Sequence, residues 1–196
     1  MQQSFVADYF FYKRINRQER QLKKELPSGL VSNWWTPSFS SLAAPGIGWS
    51  AKAIGLTALS LLTSKRKSYG SLLIANDAGV IVHRTSALTK TPHFPFMEWG
   101  DLQFGTWTHP DYRCQGLAEF GLNYVLASEK SYNQTFWYIV RKANAPSIRV
   151  AEKCDFEKYA EGHRTKPLGI SLFGSFVIDQ RIQNSPSPLI TSPHQL

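Results

Sequence analysis

The residues with the clearest chemical potential form the segment Arg113–Ala118 (Arg-Cys-Gln-Gly-Leu-Ala), which has the pattern Arg-x-x-Gly-x-Ala. The sequence predicts a strand that ends at Thr108 before this segment and a helix that begins near Gly116. Glycine permits a tight turn and a close approach of the main chain to a ligand. The first N–H groups of a helix lack intrahelical partners and carry a partial positive charge. Together with the guanidinium of Arg113, they could hold a phosphate or a pyrophosphate.

The spacing of this segment is by itself a weak signal, because a small residue at a helix start is more often only a turn. A second segment adds information. After another predicted strand, Asn144-Ala145-Pro146-Ser147 opens a second helix, which ends in Glu152-Lys153-Cys154-Asp155-Phe156. Pro146 suits the first turn of a helix, where its missing N–H costs little.

The two segments together resemble the motifs of the GNAT superfamily of acetyl-coenzyme A-dependent N-acyltransferases. In that family a strand leads into an Arg/Gln-x-x-Gly-x-Gly/Ala loop and a helix, and a later strand leads to an Asn, a helix and a Glu-Lys-x-Gly-Phe ending. The resemblance covers residues 70–160. It implies a single α/β (α+β) domain, with a mixed, mostly antiparallel sheet whose splayed central parallel strands are flanked by helices.

The resemblance also implies acetyl-coenzyme A as the acyl donor and assigns residues to its binding. Main-chain N–H groups of residues 113–118 would hold the pyrophosphate, Trp107 and Thr108 would pair with the pantetheine arm, and Asn144 and Ser147 would lie beside the thiol. The expected coenzyme-binding residues are Trp107, Thr108, Arg113, Cys114, Gln115, Gly116, Leu117, Ala118, Asn144 and Ser147.

Two positions depart from the family pattern. Asp155 stands where the family has glycine, although Asp can adopt the left-handed conformation. Ala151 stands where the family often has a tyrosine that protonates the leaving thiolate. The general acid is therefore missing or is supplied by another residue.

The amine acceptor must lose a proton, and the candidate bases are Asp101, Glu98 and His83. Each also has a structural interpretation: the two carboxylates as solvated loop charges, and the histidine as a hydrogen-bonded strand residue. No group of His, Cys and Asp has the spacing of a metal site, so no metal is expected.

The remaining pattern indicates how these residues are positioned. The order of predicted elements favours a mixed sheet with helices. The predicted elements are a hairpin over 71–75 and 80–83, strands over 102–108, 135–140 and 170–178, and helices over 116–130 and 145–153. Residues 1–69 are predicted to form an N-terminal helical segment on the acceptor side of the same domain, residues 70–182 the acyl-CoA-binding core, and residues 183–196 a flexible tail.

Composition limits the partners. Lys and Arg number 22 against 14 Asp and Glu, a net charge of +8 that favours anionic partners. Lys13–Glu25 does not alternate bases with aromatics, so nucleic acid is not expected. The apolar run Leu42–Thr63 is too interrupted by Pro and Gly for a spanning helix, although the basic Lys65–Lys67 after it is compatible with peripheral membrane contact. The N-terminus lacks the features of a secretory signal, so a cytoplasmic protein is expected.

The acceptor is expected to be a small-molecule amine, with an amino sugar as the best candidate. His93–Met97 is similar to a segment of GNAT-like proteins associated with bacterial surface-polysaccharide assembly. Flat aromatic faces suit sugar rings, and the candidates are Trp34, Trp35, Phe39, Trp49, Phe94, Phe96 and Trp99. Three alternatives remain: transfer of a longer acyl group, acylation of a protein or tRNA amine, and a catalytically silent module that binds coenzyme A. The sequence does not indicate an oligomeric state.

Overall fold

The computed structural model describes residues 8–17, 22, 25–38, 70–128, 132–165 and 174–182. Within these ranges one eight-stranded sheet carries two α-helices. The strands are β1 (Tyr9–Ile15), β2 (Leu30–Trp35), β3 (Gly70–Asn76), β4 (Ile81–Thr89), β5 (Leu102–Thr108), β6 (Thr135–Arg141), β7 (Glu157–Arg164) and β8 (Phe176–Arg181), and the helices are α1 (Leu117–Leu126) and α2 (Ala145–Lys153). A short 3₁₀ turn, Pro110–Tyr112, lies between β5 and α1.

The strand order is β2-β3-β4-β5-β6-β1-β7-β8. Neighbouring strands are antiparallel except β5 and β6, which are parallel. The parallel pairing joins Leu102–Phe104 to Phe136–Tyr138 and goes no further, so the two strands separate toward their carboxyl ends. This confirms the predicted mixed, mostly antiparallel sheet with splayed parallel strands.

Both helices pack on one face of the sheet. Strands β5 and β6 supply Phe104 and Tyr138 to this core, α1 supplies Leu122, and α2 supplies Ala151. The opposite face is covered by residues 92–97 and by β8, whose aromatic side chains pack on Phe11 of β1. No helix in the described part of the chain is long and apolar enough to cross a membrane.

The N-terminal prediction is wrong for the residues described. Tyr9–Ile15 and Leu30–Trp35 are strands, not helical segments, and β1 lies in the sheet between β6 and β7. The charged run Lys13–Glu25 suggested a solvated helix or arm, but its first residues lie in β1. In the same strand, Phe11 and Tyr12 are fully buried and pair with residues more than a hundred positions away. The tail 183–196, the run Leu42–Thr63, the basic Lys65–Lys67 and the aromatics Phe39 and Trp49 lie outside the described residues.

The core prediction is confirmed for most elements. Strand β5 and helix α2 have the predicted bounds, and the hairpin of β3 and β4 is present. The predicted helix over 116–130 ends at Leu126, and the last strand runs over Phe176–Arg181, later than the predicted 170–178. Strand β7 was missed because its exposed face carries Glu, Lys and His, which hide the alternation of a strand.

Candidate functional site

The turn between β5 and α1 has the geometry of an anion-binding corner. Gly116, the N-cap residue of α1, is left-handed with φ 78° and ψ 10°, and Cys114 is also left-handed with φ 62°. No side chain caps the N-terminus of α1, and Arg113, Cys114 and Gln115 are exposed. A glycine accepts this conformation without strain. The first N–H groups of α1 are therefore presented outward at the positive end of the helix dipole.

The turn is anchored on both sides. Arg113 Nε donates to the carbonyl of Thr108 at 3.4 Å, and Asn76 Nδ2 of the β3–β4 hairpin donates to Tyr112 Oη at 3.1 Å. Beside the turn lies an open groove of about 390 Å³. Its lining residues are Pro27, Ser28, Gly29, Leu30, Asn76, Asp77, Ala78, Tyr112 and Gln115. The turn is thus held in place, and two of its residues, Tyr112 and Gln115, border a concave surface.

The gap between β5 and β6 opens at the same end of the sheet. The ladder stops at the pair Phe104–Tyr138, and a Cβ added at Gly105 would meet no atom within 4 Å. Past that point the contact between the strands is made by side chains: Thr106 Oγ1 and Tyr138 Oη are hydrogen-bonded at 2.7 Å. Burial raises the pKa of Tyr138, and the hydrogen bonds of its hydroxyl to Thr106 and Ser147 oppose that rise.

Helix α2 begins beside this gap and is capped at both ends. Asn144 Oδ1 accepts the N–H of Ser147 at 3.2 Å, an N-cap bond. At the other end, the N–H of Phe156 donates to the carbonyl of Ala151. The N–H of Asp155, a residue with φ 56°, donates to the carbonyl of Glu152. This is a Schellman termination, and it confirms that Asp155 occupies a left-handed position without glycine.

The candidate bases do not form one cluster. Asp101 and Glu98 share a turn, where Asp101 Oδ2 accepts the N–H of Glu98 at 3.1 Å and Trp137 Nε1 at 2.8 Å. Asp101 is 9% exposed, whereas Glu98 is exposed. These residues lie on the sheet face opposite α1 and α2, since Trp137 belongs to the core cluster of that face.

His83 lies instead beneath α1, fully buried. Its ring nitrogens are hydrogen-bonded to Thr108 Oγ1 and Thr85 Oγ1, both at 2.8 Å. Burial lowers the pKa of His83 to about 4, with a further contribution from Arg84. Both nitrogens are occupied by threonine hydroxyls, so the described geometry gives this imidazole a structural role.

Comparison with solved structures shows the same architecture. A GCN5-related N-acetyltransferase from Sphaerobacter thermophilus superposes with a TM-score of 0.51 at 17% identity, over 78% of this chain and 48% of that one. A tandem GNAT protein from the clavulanic acid biosynthesis pathway gives 0.51 at 18% identity, over 80% and 51%. The chain has the GNAT fold. It spans about half the length of these solved chains, and neither a family model nor a curated protein matches it.

Within the GNAT fold, those of the sequence-named aromatic residues that the structure describes lie on both faces of the sheet. Phe94 stacks on Phe176 at 5.6 Å, and Phe96 meets Trp137 edge-on at 4.9 Å, so both belong to the core on the face opposite α1 and α2. Trp34 lies on β2 and stacks with Tyr124 of α1, on the other face. Trp99 differs, because 78% of its surface is exposed.

The contact between Thr106 and Tyr138 was not predictable from the sequence. The two residues are 32 positions apart and lie on different strands. The only available signal was their position on the two strands that the resemblance paired. Which side chains meet across that pair depends on register, and the sequence did not supply the register.

Proposed function

We propose that this protein is an acyl-coenzyme A-dependent N-acetyltransferase that transfers an acetyl group from acetyl-coenzyme A to a primary amine, by direct attack in a ternary complex. The observation that carries the proposal is that three features lie together at the carboxyl ends of the interior strands β5 and β6. The left-handed turn at Gly116, the gap after Phe104 and the start of α2 at Asn144 all follow the carboxyl ends of β5 and β6. In sheets with parallel strands, ligands bind outside these ends.

The residues present fit the coenzyme. The N–H groups of residues 113–118, with the guanidinium of Arg113, would receive the pyrophosphate. Residues Gly105–Thr108 pair with β4 along one edge only, so their other edge faces the gap. An extended arm that carries amides could pair with that edge as an added strand does. Asn144 and Ser147 stand at the far side of the gap, at the start of α2.

The chemistry then needs two further elements. An N–H group on the open edge of β5 would stabilise the oxyanion formed when the amine attacks the thioester carbonyl, a contribution of about 3 kcal/mol. A base would take the proton of the amine. We assign this role to Asp101, directly or through water, with Glu98 of the same turn as the alternative; His83 is set aside because both of its ring nitrogens are hydrogen-bonded to threonines.

For the acceptor we propose an amino sugar, free, nucleotide-linked or lipid-linked, of the kind used in polysaccharide biosynthesis. The exposed indoles of Trp99 and Trp107 offer flat faces for a sugar ring, and the charge of +8 suits a phosphorylated acceptor. A longer acyl group and a protein or tRNA amine remain as alternatives. Ala151 favours a second candidate function, a silent module that binds coenzyme A without turnover.

The test is acetyl-coenzyme A consumption, followed by thiol release, across amino sugars, their nucleotide derivatives, polyamines and peptides. Thermal stabilisation by coenzyme A is measured in parallel. We expect stabilisation by coenzyme A and thiol release with an amino sugar. Stabilisation without thiol release from any amine would support the silent module, and no stabilisation at all would refute both functions.

A further inference from the structure

The hydroxyl of Tyr138 joins three elements at the gap. Tyr138 is the last residue of β6 that pairs with β5, and its Oη lies 2.7 Å from Thr106 Oγ1, past the end of the ladder. The side chain of Ser147, in the first turn of α2, lies close enough to the same hydroxyl to lower its pKa. The ring is only 4% exposed and packs against Phe156 at 6.2 Å, whereas Thr106 and Ser147 are half-buried. A rigid ring thus places one polar atom between β5 and α2.

Helix α2 itself offers no proton donor at the position that the family pattern would use. Ala151 is fully buried and packs in the same core cluster as Tyr138. Tyr138 of β6 and Ala151 thus share one core, and the tyrosine is the member of the pair that carries a proton donor.

We propose that Tyr138 is the general acid that protonates the sulfur of the leaving coenzyme A, an assignment that rests on the proposed function. The amine nitrogen forms a bond to the thioester carbon, and the carbon–sulfur bond then breaks with its electron pair on sulfur. Tyr138 Oη gives its proton to that sulfur, and the resulting tyrosinate accepts hydrogen bonds from the Thr106 and Ser147 hydroxyls. The proton that the amine loses returns to Tyr138 through solvent, so the net reaction is amine plus thioester to amide plus thiol.

The surroundings keep this hydroxyl protonated until it is used. Burial raises the pKa of Tyr138, and Cys154, the residue that follows α2, adds to the rise. The Thr106 and Ser147 hydroxyls oppose it, because they stabilise the ionised form. Tyr138 is therefore neutral at physiological pH and has two partners ready for its anion.

The chain offers a matched control. Tyr12 on β1 is buried in the same core cluster, and its hydroxyl also bonds a residue of α2, Glu152, at 3.3 Å. It lies on a strand that does not border the gap. Tyr138→Phe and Tyr12→Phe each remove one buried hydroxyl that contacts α2, but only the first removes the proposed acid.

With an amine that the protein acetylates, Tyr138→Phe should lower kcat by about a hundredfold and leave the KM for acetyl-coenzyme A close to that of the wild type. Tyr12→Phe should keep kcat near the wild-type value. An unchanged kcat in Tyr138→Phe, or an equal loss in both variants, would overturn the assignment.

If Tyr138→Phe does not fold, Thr106→Val replaces it. Loss of the Thr106 hydrogen bond raises the pKa of Tyr138, so kcat should fall without a change in coenzyme affinity.

A binding measurement needs no acceptor. At a pH high enough to ionise the coenzyme A thiol, a Tyr138 donor should favour coenzyme A over desulfo-coenzyme A. Tyr138→Phe should lower the affinity for coenzyme A by about tenfold and leave the affinity for desulfo-coenzyme A unchanged, as measured by calorimetry. If the substitution lowers the affinity for both ligands equally, or for neither, the assignment to Tyr138 fails while the proposed function stands. If the wild-type protein binds neither ligand, the proposed function fails as well.

Discussion

Gly121 of α1 lies so close to Thr85 of β4 that a Cβ added to the glycine would stand 2.1 Å from Thr85 Oγ1. It would also stand 2.9 Å from His83 Nε2. The helix whose N-terminus forms the anion-binding corner is therefore seated directly on the buried threonine–histidine pair. This contact sets the height of α1 above the sheet.

Gly121→Ala should destabilise the protein by up to about 3 kcal/mol, because the helix or the Thr85 hydroxyl must move to admit the methyl group. The free energy of unfolding, measured by urea titration, checks this value. Gly105→Ala is the control, since its Cβ meets nothing within 4 Å. Equal stability of the two variants would contradict the packing described.

His83 should make stability depend on pH. Its pKa is about 4 in the folded protein and 6.5 when unfolded, so the unfolded chain binds the proton more tightly. The stability present above pH 6.5 is lost as the pH falls toward 4, by about 3 kcal/mol in total. His83→Gln keeps a donor and an acceptor for the two threonines and does not titrate. The wild-type stability minus that of His83→Gln, followed by urea unfolding, should fall across this window; a constant difference would refute the neutral buried histidine.

Gly116→Asp should abolish coenzyme A binding, because a carboxylate would occupy the anion site. Calorimetry with coenzyme A measures the loss. Gly79→Asp is the matched control, since Gly79 is also left-handed, with φ 75°, and has open space around it. Both variants carry the same backbone strain of about 1 kcal/mol, but only the first should lose the coenzyme. If Gly116→Asp still binds coenzyme A, the turn before α1 is not the anion-binding part of the site.

Asp101→Asn should lower kcat by about a hundredfold with little change in acetyl-coenzyme A affinity, as expected of a general base. Asp155→Asn is a suitable control, because Asp155 also accepts a hydrogen bond, from Arg14 Nη1 at 3.3 Å, and Asn tolerates its left-handed conformation. Steady-state kinetics distinguishes the two. If Glu98→Gln shows the larger loss instead, the base is Glu98.

Phe11→Ala should cost about 4 kcal/mol, since the ring is fully buried in a central strand and meets Phe96 edge-on at 5.1 Å. Val31→Ala on the edge strand β2, where the side chain is 65% exposed, should change stability by no more than about 0.5 kcal/mol. Chemical denaturation measures both values. A small effect of Phe11→Ala would mean that β1 is not part of the folded core.

Local signals predicted some elements to the residue and failed on others. The prediction of helix α2 was correct because Asn144 and Pro146 mark its start, the first by a local hydrogen bond and the second by its ring geometry. Strand β1 was missed because its stability comes from distant partners, with Tyr9 opposite Arg141 on one side and Gly162 on the other. Pairing between strands that are far apart in the sequence leaves no periodic hydrophobic pattern within β1 itself.

The sequence by itself determined the conformations that depend on neighbouring residues: the left-handed turn at Gly116, the cap at Asn144 and, except for β7, the order of strands and helices from residue 70 onward. The tertiary structure decided which groups meet. It separated β5 from β6, brought Tyr138 to Thr106, buried His83 under α1 and enclosed Phe94 and Phe96 in a core. Burial and long-range register arise only when the whole sheet has formed, and they determine which of the polar side chains are available for chemistry.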